Sequence, residues 1–376
     1  MVLVILNVVA IINLLFVAVL LLIRRPHTRT NGLLAFIILD PVAAMILLLM
    51  IYYKVADSHP AIFYVSYLLD FSWAPLFYYY IRMMLHHEIK CTVKTLLHFC
   101  LFILGSLFFM WFALQPQAYR AAVLSQALTE NYPWQFYILD YLTVLQTAIY
   151  LPVCYRIIKK HNRHVEQVFS NTETISARWM QEFIIIGGIA AILMYFPLIT
   201  NAKLIFPLLF VPLTSLGLYC YLVYKAISSP LVFGRETLEI IKQTKDVTTN
   251  EKKQMIMDDE PFSQLTTILE IQFVEDKWFL DPELNIQKLS EFCKTKVYIL
   301  SAYINKQYNK NFCDYINYYR VVEAKELLSN PEHQKYSIDT IARKSGFTSR
   351  SSFYKAFKKD TGLTPGEYIK TKTGTI

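Results

Sequence analysis

The stretch SIDTIARKSGFTSRSSFYKAFKKDTGLTPGEY, Ser337 to Tyr368, decides how the polar end of this chain is read. Ser337 stands where a helix N-cap belongs, ahead of Ile338, Ile341 and Ala342 at helical spacing. Gly346 and Phe347 make a tight turn, and Phe353, Ala356 and Phe357 form the inner face of a second helix. Two short helices joined by a turn that contains Gly are the pattern of a helix-turn-helix unit.

The same pattern occurs once earlier. Asn285 precedes Ile286, Leu289 and Phe292, a polar turn follows at Lys294 to Lys296, and Leu300, Tyr303 and Ile304 face inward on the next helix. Leu300, Asn309 and Tyr315 recur at a constant offset as Phe353, Gly362 and Tyr368, so the two copies are a true repeat. Between them Phe312 to Leu328 reads as one long amphipathic helix that sets their spacing. The expected units are a first helix-turn-helix over about residues 285–306, a linker helix over 312–328 and a second helix-turn-helix over 337–359. Phe347, Phe353, Phe357, Leu327 and Leu328 are assigned to the core.

The run Ser337-Ile338-x-x-Ile341-Ala342-x-x-x-Gly346-Phe347-x-Ser349-x-Ser351-x-Phe353-x-x-x-Phe357-Lys358-x-x-x-Gly362-x-Thr364-Pro365-x-x-Tyr368 resembles the DNA-binding domain of the AraC/XylS family of bacterial transcription regulators. The resemblance covers about residues 264–372, close to a third of the chain. It implies that both second helices enter successive major grooves on one face of double-stranded DNA. It also admits RNA polymerase and a second copy of the chain as partners. Two positions depart from the family pattern: Ala302 stands where an Arg is frequent, and Ile369 where an Arg usually follows the final Tyr.

The outward positions of the second copy are Arg350, Ser351, Ser352, Tyr354, Lys355 and Lys358. They supply a guanidinium able to take guanine in two hydrogen bonds, hydroxyls for base edges or phosphate, and cations for the backbone. On the first copy the corresponding positions are Tyr298, Ser301 and Asn305, with Lys306 as the first cation. There an Asn amide suits adenine, and the apolar neighbours Ile299 and Ala302 suit thymine methyls. From residue 264 to the end the chain carries 17 Lys and Arg against 13 Asp and Glu, a net of +4, which suits salt-dependent DNA binding.

Upstream of this domain the chain is of another physical class. With 55% hydrophobic and 18% charged residues over 376 positions it is too apolar to be soluble throughout, and Val2 to Ile23 contains no charge. A spanning helix needs about 20 apolar residues. Seven stretches qualify, at residues 2–23, 32–53, 61–84, 96–114, 134–156, 183–200 and 204–224. The first is not read as a cleaved leader, because it has no basic start and Arg24 and Arg25 follow it.

Lys and Arg concentrate in the loops after the first, third and fifth stretches (Arg24, Arg25, Arg29; Arg82, Lys90, Lys94; Arg156, Lys159, Lys160, Arg163, Arg178), while the alternate loops hold Lys54, Arg120 and Lys203. By the positive-inside rule the N-terminal end lies outside and the C-terminal domain in the cytoplasm of a bacterial inner membrane. The expected architecture is thus all-α: a seven-helix transmembrane bundle over residues 1–225, a polar cytoplasmic linker over 226–263 and a double helix-turn-helix domain over 264–376. A flexible linker of that length reaches roughly 35 Å, with room for a short helix around Leu238 to Ile241.

Asp40, Asp70 and Asp140 fall inside expected spans, where a carboxyl is costly and faces the bundle interior. Two readings stand side by side. The three line a pocket for a signal of unknown chemistry, or they bond between helices to Asn7, Asn13, Gln146 or tyrosines. Tyr52, Tyr53, Trp111, Trp134, Tyr221 and Tyr224 mark an interfacial aromatic belt. His161 and His164 lack a third ligand and are expected in solvent. The six cysteines show no metal-like spacing. No phosphate-cradling Gly motif and no catalytic constellation is visible, so no catalytic residue, metal or cofactor is expected. The competing function is a transporter or receptor with a regulatory tail, for which Pro41, Pro75, Pro197, Pro207 and Pro212 would supply helix breaks.

Overall fold

The computed structural model describes residues 1–23, 29–53, 55, 60–86, 92–127, 134–172, 176–200, 205–228, 265–330, 332 and 336–373. They are helical, and among them the only β-type pairing is an isolated antiparallel bridge between Phe169 and Asn285. The chain divides into two compact units, residues 1–159 with 178–228, and residues 160–177 with 229–376. The expected linker lies outside the described residues from 229 onward, as does its helix around 238–241.

The first unit contains α1 (Val2–Ile23), α2 (Arg29–Ile37), α3 (Leu39–Tyr52), α4 (Pro60–His86), α5 (Val93–Leu97), α6 (Cys100–Ala113), α7 (Gln117–Ala127), most of α8 (Trp134–Val168), α9 (Arg178–Thr200) and α10 (Ile205–Ser228). Each of the seven apolar stretches falls on one of these helices or on a pair. Four segments among the described residues are long and apolar enough to cross a membrane: Val2–Ile23, Arg29–Tyr52, Tyr137–Val168 and Leu208–Lys225. The second stretch is broken at Ile38 and the fourth between α5 and α6. Pro41 accounts for the first break, since it has no N–H to return to the carbonyl of Ile37.

Helix α1 packs on α10, and α3 packs on both α4 and α10. Asn7 is fully buried on α1 and donates to the carbonyl of Leu208 on α10 (2.7 Å) as well as to Leu3 of its own helix (2.8 Å). Gly105 lets α6 approach α4: a Cβ there would sit 2.7 Å from the Phe71 ring. The outward side of α1 is a continuous apolar stripe through Ile5, Ile12, Phe16 and Leu20. Tyr52, Tyr53, Trp111, Trp134 and Tyr224 are all exposed near helix ends.

Beyond residues 160–177, the described part of the second unit resumes with residues 265–275, helical throughout, with a π-turn at Ile268–Gln272; they form α11. There follow α12 (Ile286–Phe292), α13 (Val297–Tyr308), α14 (Phe312–Ser329), α15 (Ile338–Lys344), α16 (Arg350–Thr361) and α17 (Pro365–Thr373). One core gathers Leu269, Phe273, Leu289, Leu300, Tyr303 and Ile316 around the first helix-turn-helix. Another gathers Val321, Ile341, Phe347, Phe353 and Phe357 around the second. Helix α14 contributes to both, as its amphipathic pattern requires. Leu327 and Leu328 are half-buried against the second core.

Phe292 differs from its expected inward position. It is 53% exposed and stacks on Trp278 with ring centroids 4.9 Å apart, because α12 ends there and its last side chain lies over the 3-10 turn at Trp278–Leu280. His161, expected in solvent, is buried, with 2% of its surface exposed. It lies in the part of α8 that belongs to the second unit. No cluster of three metal-binding side chains occurs among the described residues.

Candidate nucleic-acid interface and an acidic cavity

Helix α16 owes its start to Ser349, whose hydroxyl accepts from the Ser352 N–H (3.1 Å), while the Ser352 hydroxyl donates back to the Ser349 carbonyl (3.0 Å). Such a cap is worth about 1 kcal/mol. The helix ends on Gly362 in the left-handed region (φ +77°). Asn309 ends α13 in the same conformation (φ +50°), which explains why these two positions recur in the repeat. The turn of the second helix-turn-helix spans residues 345–349 and turns at Gly346 (φ +83°). The first is one residue shorter, 293–296, and turns at Lys294 (φ +48°).

With Phe353 and Phe357 fully buried, the opposite side of α16 carries Arg350, Ser351, Lys355 and Lys358 exposed, with Ser352 and Tyr354 half-buried. Ser352 is tied into the cap. Arg350 is pre-positioned: its Nη2 donates to the Tyr354 hydroxyl (3.1 Å), its guanidinium lies 5.1 Å from that ring's centre, and its Nε is 3.5 Å from an Asp339 carboxylate oxygen. Lys359, by contrast, is paired with Asp314 (2.7 Å).

The face of α13 is less cationic. Asn305 and Lys306 are exposed, and Tyr298 and Ser301 half-buried. The Asn305 amide donates to the Ser301 carbonyl (2.8 Å), and Lys296 lies over the Tyr298 ring at 5.8 Å. No side chain caps the start of α13.

Arg320 on α14 was not singled out by sequence. It is 1% exposed, with Nε donating to the Phe279 carbonyl (2.7 Å) and Nη2 to the Asp281 carbonyl (2.7 Å) and the Ser170 hydroxyl (3.2 Å). Its guanidinium also lies 5.8 Å from the centre of Phe347. Burial draws its pKa down to about 10, so it remains a cation at neutral pH. A signal existed: Arg320 stands four residues after Ile316 and four before Ala324, both on the buried face. Asp339 was also missed, for it reads as an ordinary first-turn carboxylate.

In the first unit, Asp40 and Asp70 are brought together. They share the lining of a cavity of about 140 Å³ with Trp73, Thr143, Phe183 and Tyr219. The Trp73 indole donates to the Tyr219 hydroxyl (2.7 Å). Asp140, half-buried on α8, is not among the lining residues. Asn7 bonds to Leu208 and Asn13 to Val9 of its own helix, so neither amide is bonded to these carboxyls in those contacts.

A protein family described as a helix-turn-helix domain matches residues 291–371. A regulator of Staphylococcus aureus (strain COL), described as an uncharacterized HTH-type transcriptional regulator, is 29% identical over 120 residues, 32% of this chain and 15% of the relative. The Regulatory protein PocR of Salmonella typhimurium is 33% identical over 94 residues, 24% of this chain and 30% of the relative. The chain therefore spans well under half the length of either. No solved structure matches. The C-terminal domain is an AraC-type helix-turn-helix domain, and through it the chain is homologous to HTH-type transcription regulators.

Proposed function

We propose that the chain is a membrane-anchored, sequence-specific DNA-binding transcription regulator, a one-component sensor that couples a membrane or external signal to promoter binding without a catalytic step. The observation that carries this is one chain holding both a helix-turn-helix pair, with Arg350, Lys355 and Lys358 on the outer face of α16, and four helices apolar enough to cross a membrane. The proposal includes seven crossings, an outside N-terminal end and a cytoplasmic DNA-binding domain in a bacterial inner membrane. Its partners are the DNA major groove, read by Tyr298, Ser301, Asn305 and Lys306 on α13 and by Arg350, Ser351, Ser352, Tyr354, Lys355 and Lys358 on α16, and lipid around the apolar helices.

The cavity at Asp40 and Asp70 is the proposed signal pocket. Carboxyls in an apolar bundle are retained at a cost of at least a few kcal/mol each, which favours a role for them beyond packing. The test is genome-wide crosslinking of the intact protein to DNA, beside a variant carrying Arg350→Ala and Lys355→Ala. Discrete peaks that share a motif and vanish in the variant support the proposal. No peaks from either protein would refute it.

The same cavity favours a second reading, a transporter with a regulatory tail. Solute accumulation by vesicles holding the full chain, abolished by Asp70→Asn, would establish that reading instead.

A further inference from the structure

Residues 160–177 belong to the DNA-binding unit although they precede it by two helices in sequence. Val165, Val168 and Phe169 are buried in the same core as Leu289 and Leu300. Phe169 pairs with Asn285, the N-cap of α12, and the Ser170 N–H and hydroxyl both donate to the Leu284 carbonyl. The Ser170 hydroxyl also receives Arg320, whose other bonds hold the backbone at Phe279 and Asp281. Asn171 then donates its amide to the Thr348 hydroxyl, in the turn from which α16 starts.

The two recognition helices lie in separate cores joined along α14. Ser170 and Asn171 add a second tie: one bonds into the first core and, through Arg320, to α14, the other reaches the turn of the second helix-turn-helix. We propose that Ser170 and Asn171 are positioning residues for the second recognition helix, and that the segment 165–172 sets the spacing at which α13 and α16 meet DNA. This rests on the DNA-binding reading above and deepens it to a means of regulation. The segment is the end of α8, one unbroken helix from Trp134 to Val168, and earlier turns of that helix supply Thr143, Thr147 and Leu151 to the acidic cavity.

The test uses the full chain in lipid nanodiscs, in two arms. In the first, amide hydrogen exchange is followed without DNA in Asn171→Ala, Thr348→Val and Thr348→Ser. Loss of one exposed hydrogen bond is expected to speed exchange at residues 345–352 about two- to tenfold in the first two variants, with the core of α14 unchanged. Thr348→Ser keeps the acceptor and should match the unmodified chain. In the second arm, binding is measured to fragments recovered by crosslinking, and to versions with one or two base pairs inserted between the two half-sites. The unmodified chain should reject the insertions, and Asn171→Ala should tolerate them. A merely structural role would weaken binding to all spacings equally.

Unchanged exchange at 345–352, or unchanged spacing preference, overturns the positioning role. Should the unmodified chain yield no fragments, the regulator reading fails, and the exchange arm still decides the contact to Thr348.

Discussion

Replacing Arg320 by Met keeps a stem of similar volume and removes the three hydrogen bonds that the buried guanidinium donates from Nε and Nη2. Two carbonyls, of Phe279 and Asp281, lose their bonds of 2.7 Å, and the Ser170 hydroxyl loses one of 3.2 Å. A buried acceptor left without a partner costs about 1–3 kcal/mol, so the two carbonyls together cost about 2–6. Against this, the variant no longer buries a charge, and the pKa of about 10 shows that burial opposes the charged form. The net loss is about 3 kcal/mol. A unit of this size shifts by roughly 2–4 °C per kcal/mol, which puts the fall in Tm near 10 °C.

Cys293 and Cys313 are buried in this unit and report its opening, once Cys91, Cys100, Cys154 and Cys220 are replaced by Ser. The assay is the midpoint of thiol labelling on heating. Arg320→Lys should recover little, because one ammonium cannot fork to both carbonyls. A midpoint within 2 °C of the parent in Arg320→Met, or full recovery by Lys, would refute the assignment of Arg320 as the centre of this unit.

Other outcomes follow from the same geometry. Gly346→Ala meets both a left-handed φ and a Cβ placed 2.9 Å from the Phe279 carbonyl oxygen, whereas Gly362→Ala meets the φ alone. The first should therefore cost at least about 1 kcal/mol more than the second in the labelling assay, near 1–2 kcal/mol for the conformation by itself. Lys358→Ala should lower DNA affinity by a similar factor across recovered sequences and reduce the slope of log K against log salt by about one; a slope unchanged within error would place Lys358 away from phosphate. Asp339→Asn frees Arg350 from a carboxylate 3.5 Å away and should tighten DNA binding modestly at low salt, an effect lost in the Arg350→Ala background.

Glu367 accepts from both the N–H and the hydroxyl of Thr364, which holds its carboxyl below the ordinary 4.5. Because the folded state binds the proton less tightly, this contribution is complete above the unfolded value and fades as pH falls through the folded one. The Tm difference between the parent and Glu367→Gln should thus be constant above about pH 5.5 and shrink steadily in acid. A difference that grows on acidification would contradict the cap.

What was legible in the sequence was legible for local reasons. The repeat of Leu300, Asn309 and Tyr315 as Phe353, Gly362 and Tyr368 reflects a buried anchor, a left-handed C-cap and an aromatic packed against each core. Ser337 and Ser349 cap their helices because a hydroxyl there meets an N–H three residues on. The apolar stretches read as helices, since length and hydropathy are properties of one segment.

What was hidden depends on partners distant in sequence. Val165, Val168 and Phe169 end a helix whose neighbours Lys159, Lys160 and Arg163 mark it as a solvated basic loop, and their core partners come about a hundred residues later. Asp40 and Asp70 were each noticeable, yet only tertiary packing pairs them with one another and leaves Asp140 outside the lining.

The burial of residues 165–169 bears on how the DNA-binding domain of the proposed membrane-anchored regulator could be released. A single cut in the stretch 229–264 severs the backbone after α10, but the detached piece would still be held by Val165, Val168 and Phe169 and by the bonds of Ser170 and Asn171. Burial of three such side chains is worth roughly 5–8 kcal/mol before ordering costs. Escape would also leave an apolar hole in the departing domain. Clipping one bond would produce a nicked protein that stays put, and because residues 160–177 run on into α8 at one end and α9 at the other, mobilising the whole DNA-binding unit would take two further cuts, one on each side of that segment.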